Sequence, residues 1–198
     1  MQPMNVPMVL TLSRLALAPV FFLLFQLAAL PRPWALAGAW LVFWFIEISD
    51  LLDGYLARKL RQETEAGKVL DPLADSLSRL TYFLCFTVAG IMPAWVLLVL
   101  VYRDVGVAYI RVLFSRAGVI LPARTSGKAK AWVYAFAGGF GLADFSLRVL
   151  DILPRIQEVV ATTTFVLFLA AAGAALWSLG DYGLALLKAG TGVEKKKR

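Results

Sequence analysis

The chain has 198 residues, 60% of them hydrophobic, and a formal net charge of +7. Soluble domains are only about 45–50% apolar, so the composition excludes an ordinary soluble domain and indicates a single membrane domain over residues 1–198. Because histidine is absent, Ser-His-Asp catalysis and histidine-ligated zinc are also excluded. We assign the positive charge to loops and a basic tail at 189–198 that face anionic lipid, and expect no nucleic-acid partner.

Six apolar segments follow one another, and each reaches the ~20 residues needed to cross a bilayer. They predict helices over residues 6–30, 34–60, 71–90, 93–115, 128–149 and 159–187. The first segment has no basic leader, so we interpret it as a retained helix and not as a cleaved signal. Tight turns are predicted at the prolines between helices 1 and 2 and at Pro93. The predicted fold is an all-α integral membrane protein, a bundle of six transmembrane helices.

Lysine and arginine are unevenly distributed between the predicted loops. They are concentrated at 58–68, at 111–130 and in the tail, whereas the opposite loops carry only Arg32, Arg148 and Arg155. By the positive-inside rule, both termini and the loop after helix 2 are cytoplasmic. We therefore expect a multi-pass protein of the cell (inner) membrane.

Four aspartates at helical spacing flank the loop between helices 2 and 3: Asp50, Asp53, Asp71 and Asp75. The first pair is spaced i,i+3 and the second i,i+4, so each pair shares a helix face. Carboxylates brought together repel unless they are neutralised, and hard oxygen ligands suit Mg²⁺ or Mn²⁺. The arrangement meets the requirement of a two-metal site that clamps a phosphoryl group. Structural ion pairs with Arg58, Lys59 and Arg79 are the alternative.

Basic residues in later segments lie on the same side as the four aspartates. Arg103 and Arg111 are inside the apolar fourth segment, Lys128 begins the fifth, and Arg14 is inside the first. Arginine and lysine suit a phosphorylated substrate, so we expect these four to bind the phosphate of an acceptor. For the loop residues, a role as topology determinants is the alternative.

Residues 50–75 match the pattern D-x₂-D-G-x₂-A-R-x₈-G-x₃-D-x₃-D at every fixed position. This pattern resembles the signature of the CDP-alcohol phosphatidyltransferases, membrane enzymes that move a phosphatidyl or related group from a CDP-linked donor to an alcohol. Segments 5–14 and 103–130 look like the corresponding parts of bacterial phosphatidylglycerophosphate synthases. The resemblance implies CDP-diacylglycerol as donor, glycerol 3-phosphate as acceptor, release of CMP, and a homodimer.

The resemblance also implies roles for individual residues. All four aspartates would bind two divalent ions, and Asp75 would also take the proton of the acceptor hydroxyl. The CDP moiety would be surrounded by Gly54, Ala57, Arg58, Gly67 and Thr11.

The sequence departs from the synthase pattern in places, which leaves the acceptor open. Ser76 stands where lysine is usual, Arg79 follows one turn later, and Glu47 adds an acidic group with no assigned role. Inositol phosphate or another alcohol is therefore an alternative acceptor. A membrane prenyltransferase and a divalent-cation transporter are more distant alternatives.

Overall fold

The computed structural model describes residues 6–30, 32–60, 65–116 and 125–195, with side chains described for 8–30, 32–52, 70–114, 127 and 129–187. Within these residues all regular secondary structure is helical. The elements in chain order are α1 (Val6–Ala28), α2 (Pro33–Leu60), α3 (Glu65–Val88), α4 (Ala94–Arg116), α5 (Thr125–Leu150) and α6 (Pro154–Lys195).

The six predicted helices are confirmed in order and approximate length, but three boundaries were wrong. Helix α3 begins at Glu65 and not at residue 71, so Pro72 lies inside it. Helix α6 runs from Pro154 to Lys195, beyond both predicted ends and through most of the predicted tail. Proline is well suited to the first position of a helix, and extending an existing helix costs far less than nucleating one.

The turn after α3 shows how short connections are made. Gly90 has a φ of +70°, a backbone conformation that glycine adopts without steric cost. The amides of Ile91 and Met92 then donate to the carbonyl of Phe86, at 2.9 and 3.1 Å, which satisfies the end of the helix.

Helix α1 packs against α2 and α3, and α6 packs against α4 and α5, while α3 also contacts α4 and α5. A cavity of about 440 Å³ is lined by residues from the ends of α1, α3 and α5, including Ala29, Ala89 and Arg148. These three helices therefore end at one end of the bundle, and α2 ends and α3 begins at the opposite end.

The core between the helices is aromatic. Phe25 stacks on Phe145 with ring centroids 3.9 Å apart, and Tyr82 packs edge-on against Phe43 and Phe83. Aromatic pairs of this kind contribute beyond the area they bury. They fix α1, α2, α3 and α5 relative to one another.

Within the described residues, four segments are long and apolar enough to cross a membrane: Met8–Ala28, Pro33–Leu52, Ala129–Leu150 and Pro154–Leu187. Helices α3 and α4 are less apolar because they carry charged residues, Asp71, Asp75 and Arg79 on α3, and Arg103, Asp104 and Arg111 on α4. The charges that lower their hydropathy are thus those of the candidate site and its neighbourhood.

Candidate active site

Asp50 lies ten residues before the end of α2, and Asp75 lies ten residues after the start of α3. The two aspartates therefore belong to successive helices. Asp50 Oδ1 accepts a hydrogen bond from Arg14 Nη1 at 2.6 Å, and Asp50 Oδ2 accepts one from Arg79 Nη2 at 2.8 Å. Arg79 Nη1 lies 3.0 Å from Asp75 Oδ1. One guanidinium therefore connects the carboxylates of two helices.

Asp71 is held separately, by the first helix. Thr11 Oγ1 donates to Asp71 Oδ1 at 2.5 Å. Thr11 lies three residues before Arg14, so the same face of α1 contacts Asp71 with one side chain and Asp50 with the other. We call Asp50, Asp71 and Asp75 the aspartate cluster.

The cations are buried and the carboxylates remain partly open. Arg14 and Arg79 are 1% and 4% exposed, whereas the side chains of Asp50 and Asp75 are 28% and 29% exposed. A buried charge is costly unless it is paired, which accounts for the position of both arginines against aspartates. The exposed parts of the carboxylates leave oxygen atoms available to a ligand.

Two further side chains near Arg79, those of Glu47 and Tyr82, were not assigned a role from the sequence. Glu47 Oε2 is 3.6 Å from Arg79 Nη2, and Glu47 Oε1 accepts a hydrogen bond from Tyr82 Oη at 2.8 Å. Glu47 precedes Asp50 by three positions, and Tyr82 follows Arg79 by three. Helical spacing from the aspartates was therefore the signal that could have identified both residues.

Two of the predicted acceptor-binding arginines have different surroundings. Arg103 is buried and its Nη1 and Nη2 atoms donate to Asp104 at 2.8 Å and to Ser178 at 2.7 Å. Arg111 is exposed and donates to Tyr182 Oη at 3.0 Å on α6. The third cation of this region, Lys130, is buried with its Nζ 2.6 Å from Asp104 Oδ1.

Some predicted site residues have side chains outside the described part of the chain: Asp53, Gly54, Ala57, Arg58, Gly67 and Lys128. For these, the assignments from the sequence stay predictions. Arg14 lies against the aspartate cluster rather than beside Arg103 and Arg111.

The residues present fit a divalent ion in the chemistry of their donors. The aspartate cluster offers only carboxylate oxygens, the ligands that Mg²⁺ and Mn²⁺ prefer. Among the side chains that the structure describes, no three acidic, cysteine or histidine residues are close enough together to hold an ion by themselves. Asp53 lies outside that set, one helical turn after Asp50, where it would add a further carboxylate.

Comparison with known proteins gives one family and several related enzymes. The family model described as CDP-alcohol phosphatidyltransferase matches residues 4–177. A Bacillus subtilis protein named CDP-diacylglycerol–glycerol-3-phosphate 3-phosphatidyltransferase is 34% identical over 67% of this chain and 74% of its own length. A Pseudomonas fluorescens protein of the same name is 33% identical over 90% of this chain and 88% of its own. A Mycobacterium tuberculosis protein named putative cardiolipin synthase is 36% identical over 69% of this chain and 63% of its own.

Proposed function

Because this chain belongs to the CDP-alcohol phosphatidyltransferase family, we propose that it transfers the phosphatidyl group of CDP-diacylglycerol to glycerol 3-phosphate. The products are CMP and phosphatidylglycerol phosphate. Two relatives that cover most of this chain carry the name of this activity. Family membership decides against the prenyltransferase and cation-transporter alternatives.

The observation that carries the proposal is the convergence of Asp50 and Asp75 on one guanidinium at the α2–α3 junction. Both carboxylates belong to the signature that spans residues 50–75, and both are partly exposed. In this arrangement carboxylates on two helices face the same space, as a reaction at a diphosphate requires.

The chain's residues divide the work of the reaction as follows. Asp50, Asp53, Asp71 and Asp75 would hold two divalent ions, which would supply positive charge against the diphosphate. Asp75 accepts the proton of the acceptor hydroxyl, whose oxygen forms a bond to the β-phosphorus of the donor. The bond from that phosphorus to the bridging oxygen breaks, and CMP leaves with the electron pair. A carboxylate serves as the base in a chain without histidine.

Residues around the aspartate cluster bind the two substrates. Gly54, Ala57, Arg58, Gly67 and Thr11 surround the CDP moiety. Arg111, which is exposed on α4, together with Lys128, Arg103 and Arg14 supplies positive charge for the phosphate of the acceptor. A phosphorylated acceptor would use this positive charge better than an acceptor without a phosphate.

The membrane arrangement follows from the six helices and the distribution of charge. We propose that all six cross the cell (inner) membrane as one domain, that both termini are cytoplasmic, and that the aspartate cluster opens to the cytoplasmic face. In α3 and α4 the charged residues are paired within the bundle, which lowers the cost of placing them in a membrane. A homodimer is also part of this proposal.

An acceptor panel tests the proposed function. The purified protein in liposomes containing CDP-diacylglycerol and Mg²⁺ would be given glycerol 3-phosphate, inositol phosphate, glycerol or phosphatidylglycerol, and CMP release would be followed. We expect release with glycerol 3-phosphate and formation of phosphatidylglycerol phosphate. Release only with inositol phosphate or only with phosphatidylglycerol would overturn the choice of acceptor, and no release with any of them would overturn the enzyme assignment.

A further inference from the structure

Arg79 makes contacts on both sides of the α2–α3 interface. Its Nη2 atom lies 2.8 Å from Asp50 Oδ2 on α2, and its Nη1 atom lies 3.0 Å from Asp75 Oδ1 on α3. The planar guanidinium presents these nitrogens in a fixed geometry, which a lysine ammonium cannot reproduce. The separation of the two carboxylates is therefore set by one rigid group.

Arg79 also contacts Glu47, which is hydrogen-bonded to Tyr82. Glu47, 8% exposed, lies against Nη2 at 3.6 Å, and Tyr82 donates to the other carboxylate oxygen of Glu47 at 2.8 Å. Tyr82 is fully buried, and the centroid of its ring lies 5.5 Å from the ring centroid of Phe43 and 4.9 Å from that of Phe83. Arg79 is thus connected to the aromatic core through its ion pair with Glu47 and through the hydrogen bond between Glu47 and Tyr82.

Burying the carboxylate of Glu47 costs free energy, which its contact with Arg79 offsets. Glu47 brings a further negative charge into a buried region that already contains Asp50 and Asp75, where like charges repel. An apolar residue would fill the same place between α2 and α3 without that cost. What Glu47 adds is a further carboxylate contact to Nη2, the nitrogen that also binds Asp50 Oδ2.

We propose that Arg79, oriented by Glu47 and Tyr82, is a positioning residue that fixes Asp50 and Asp75 relative to each other for ion binding and proton transfer. The inference rests on the proposed function, in which these two aspartates bind the ions and Asp75 takes the proton. Arg79 touches neither substrate in this account and acts through the two carboxylates.

Five variants of the full chain, purified in detergent and reconstituted in liposomes, separate positioning from structural support: Arg79→Lys, Arg79→Gln, Glu47→Gln, the double variant Glu47→Gln/Arg79→Gln, and Arg148→Gln. The last is the matched control, because Arg148 also pairs with an aspartate four residues earlier on its own helix, at 2.9 Å, but at the opposite end of the bundle. Each variant is measured for kcat, for KM of both substrates, for melting temperature and for Mn²⁺ affinity by electron paramagnetic resonance.

We expect Arg79→Lys, which keeps the charge but not the bridge, to lower kcat about 100-fold while both KM values stay within about twofold. Arg79→Lys should also bind Mn²⁺ on the order of tenfold more weakly, because the charge is kept but the two aspartates are no longer fixed relative to each other, and in Arg79→Gln turnover should fall further. Glu47→Gln should lower kcat about tenfold and add nothing in combination with Arg79→Gln, because it acts through Arg79. Arg148→Gln should change only the melting temperature.

Wild-type turnover in Arg79→Lys would overturn the proposal, as would unchanged Mn²⁺ binding by Arg79→Lys. Additive losses from Glu47→Gln and Arg79→Gln would also overturn it, since they would show independent actions. If the wild-type protein releases no CMP with any acceptor, the proposed function fails. The Mn²⁺ titration still decides in that case whether Arg79 controls the carboxylates.

Discussion

The aspartates of the candidate site are each held by a different set of side chains. Asp71 is bonded to Thr11, Asp75 to Arg79, and Asp50 to both Arg14 and Arg79. Groups that hold a ligand by hydrogen bonds restrict its orientation and tune its affinity for a metal. At the scale of single residues, therefore, the account predicts measurable effects for side chains that do not touch an ion.

Replacing Thr11 with valine tests the hydrogen bond to Asp71. Valine has nearly the same shape as threonine but no hydroxyl, so Asp71 loses a donor without a large change in packing. We expect the Mg²⁺ concentration for half-maximal activity to rise about tenfold, with Thr11→Ser as the control that keeps the hydroxyl. Equal Mg²⁺ requirements in the valine and serine variants would contradict the role of this bond.

Replacing Arg111 with glutamine tests the proposed acceptor side of the site. Arg111 is exposed and bonded to Tyr182, so its charge is removed with little disturbance to the core. We expect the KM for glycerol 3-phosphate to rise about tenfold, the cost of one charge-assisted contact, with the KM for CDP-diacylglycerol unchanged. An equal rise in both KM values would show that Arg111 does not discriminate the acceptor.

At the scale of elements, the site depends on how closely α5 approaches α2 and α3. A Cβ atom on Gly141 would lie 2.7 Å from the ring of Phe86, and one on Gly138 would lie 2.9 Å from the ring of Phe43. Both rings belong to the aromatic core, which cannot shift freely. These glycines thus permit the packing that supports Glu47 and Tyr82.

The variant Gly141→Ala should destabilise the protein by about 1–3 kcal/mol through overpacking against Phe86. Thermal unfolding in detergent measures this, and Gly173→Ala is the control. No atom lies within 4 Å of the Cβ position at Gly173, so alanine there should be neutral or slightly stabilising because of its higher helix propensity. Equal melting temperatures for the two variants would mean that α5 does not pack as described.

The elements could be predicted from the sequence more fully than the contacts between them. Six apolar stretches predicted six helices because length and hydropathy are local properties of the chain. Helix α3 was started too late because its first turn contains Glu65 and Lys68 and so lies outside the apolar run from which the helix was predicted. The four aspartates were identified from their spacing, but the sequence could not show that Arg79 bridges two helices or that Tyr82 reaches Glu47. Such contacts depend on the rotation of each helix about its axis, which tertiary packing determines.

At the scale of the whole molecule, α1, α3 and α5 end at one end of the bundle, so these three helices begin, and α2, α4 and α6 end, at the other. The same end carries most of the lysine and arginine residues. The proposed orientation therefore puts the aspartate cluster where the water-soluble acceptor and the cytidine of the donor can both enter.

Cysteine labelling in cells tests this orientation. In a Cys85→Ala background, which removes the chain's single cysteine, Leu30→Cys puts a thiol directly after α1 and Lys196→Cys puts one in the basic C-terminal tail. We expect a membrane-impermeant maleimide to label residue 30 in intact cells and residue 196 only after permeabilisation. The reverse pattern would invert the proposed topology.

The most direct test of the central claim is the ion dependence of CMP release by the wild-type protein and by Asp75→Asn in liposomes of CDP-diacylglycerol with glycerol 3-phosphate. The account predicts that a chelator stops the wild-type reaction and that added Mg²⁺ or Mn²⁺ restores it. It also predicts that Asp75→Asn inserts and folds normally but that its turnover is at least about 100-fold below that of the wild type at any ion concentration. Turnover by Asp75→Asn at the wild-type rate, or wild-type turnover that persists in chelator, would contradict it.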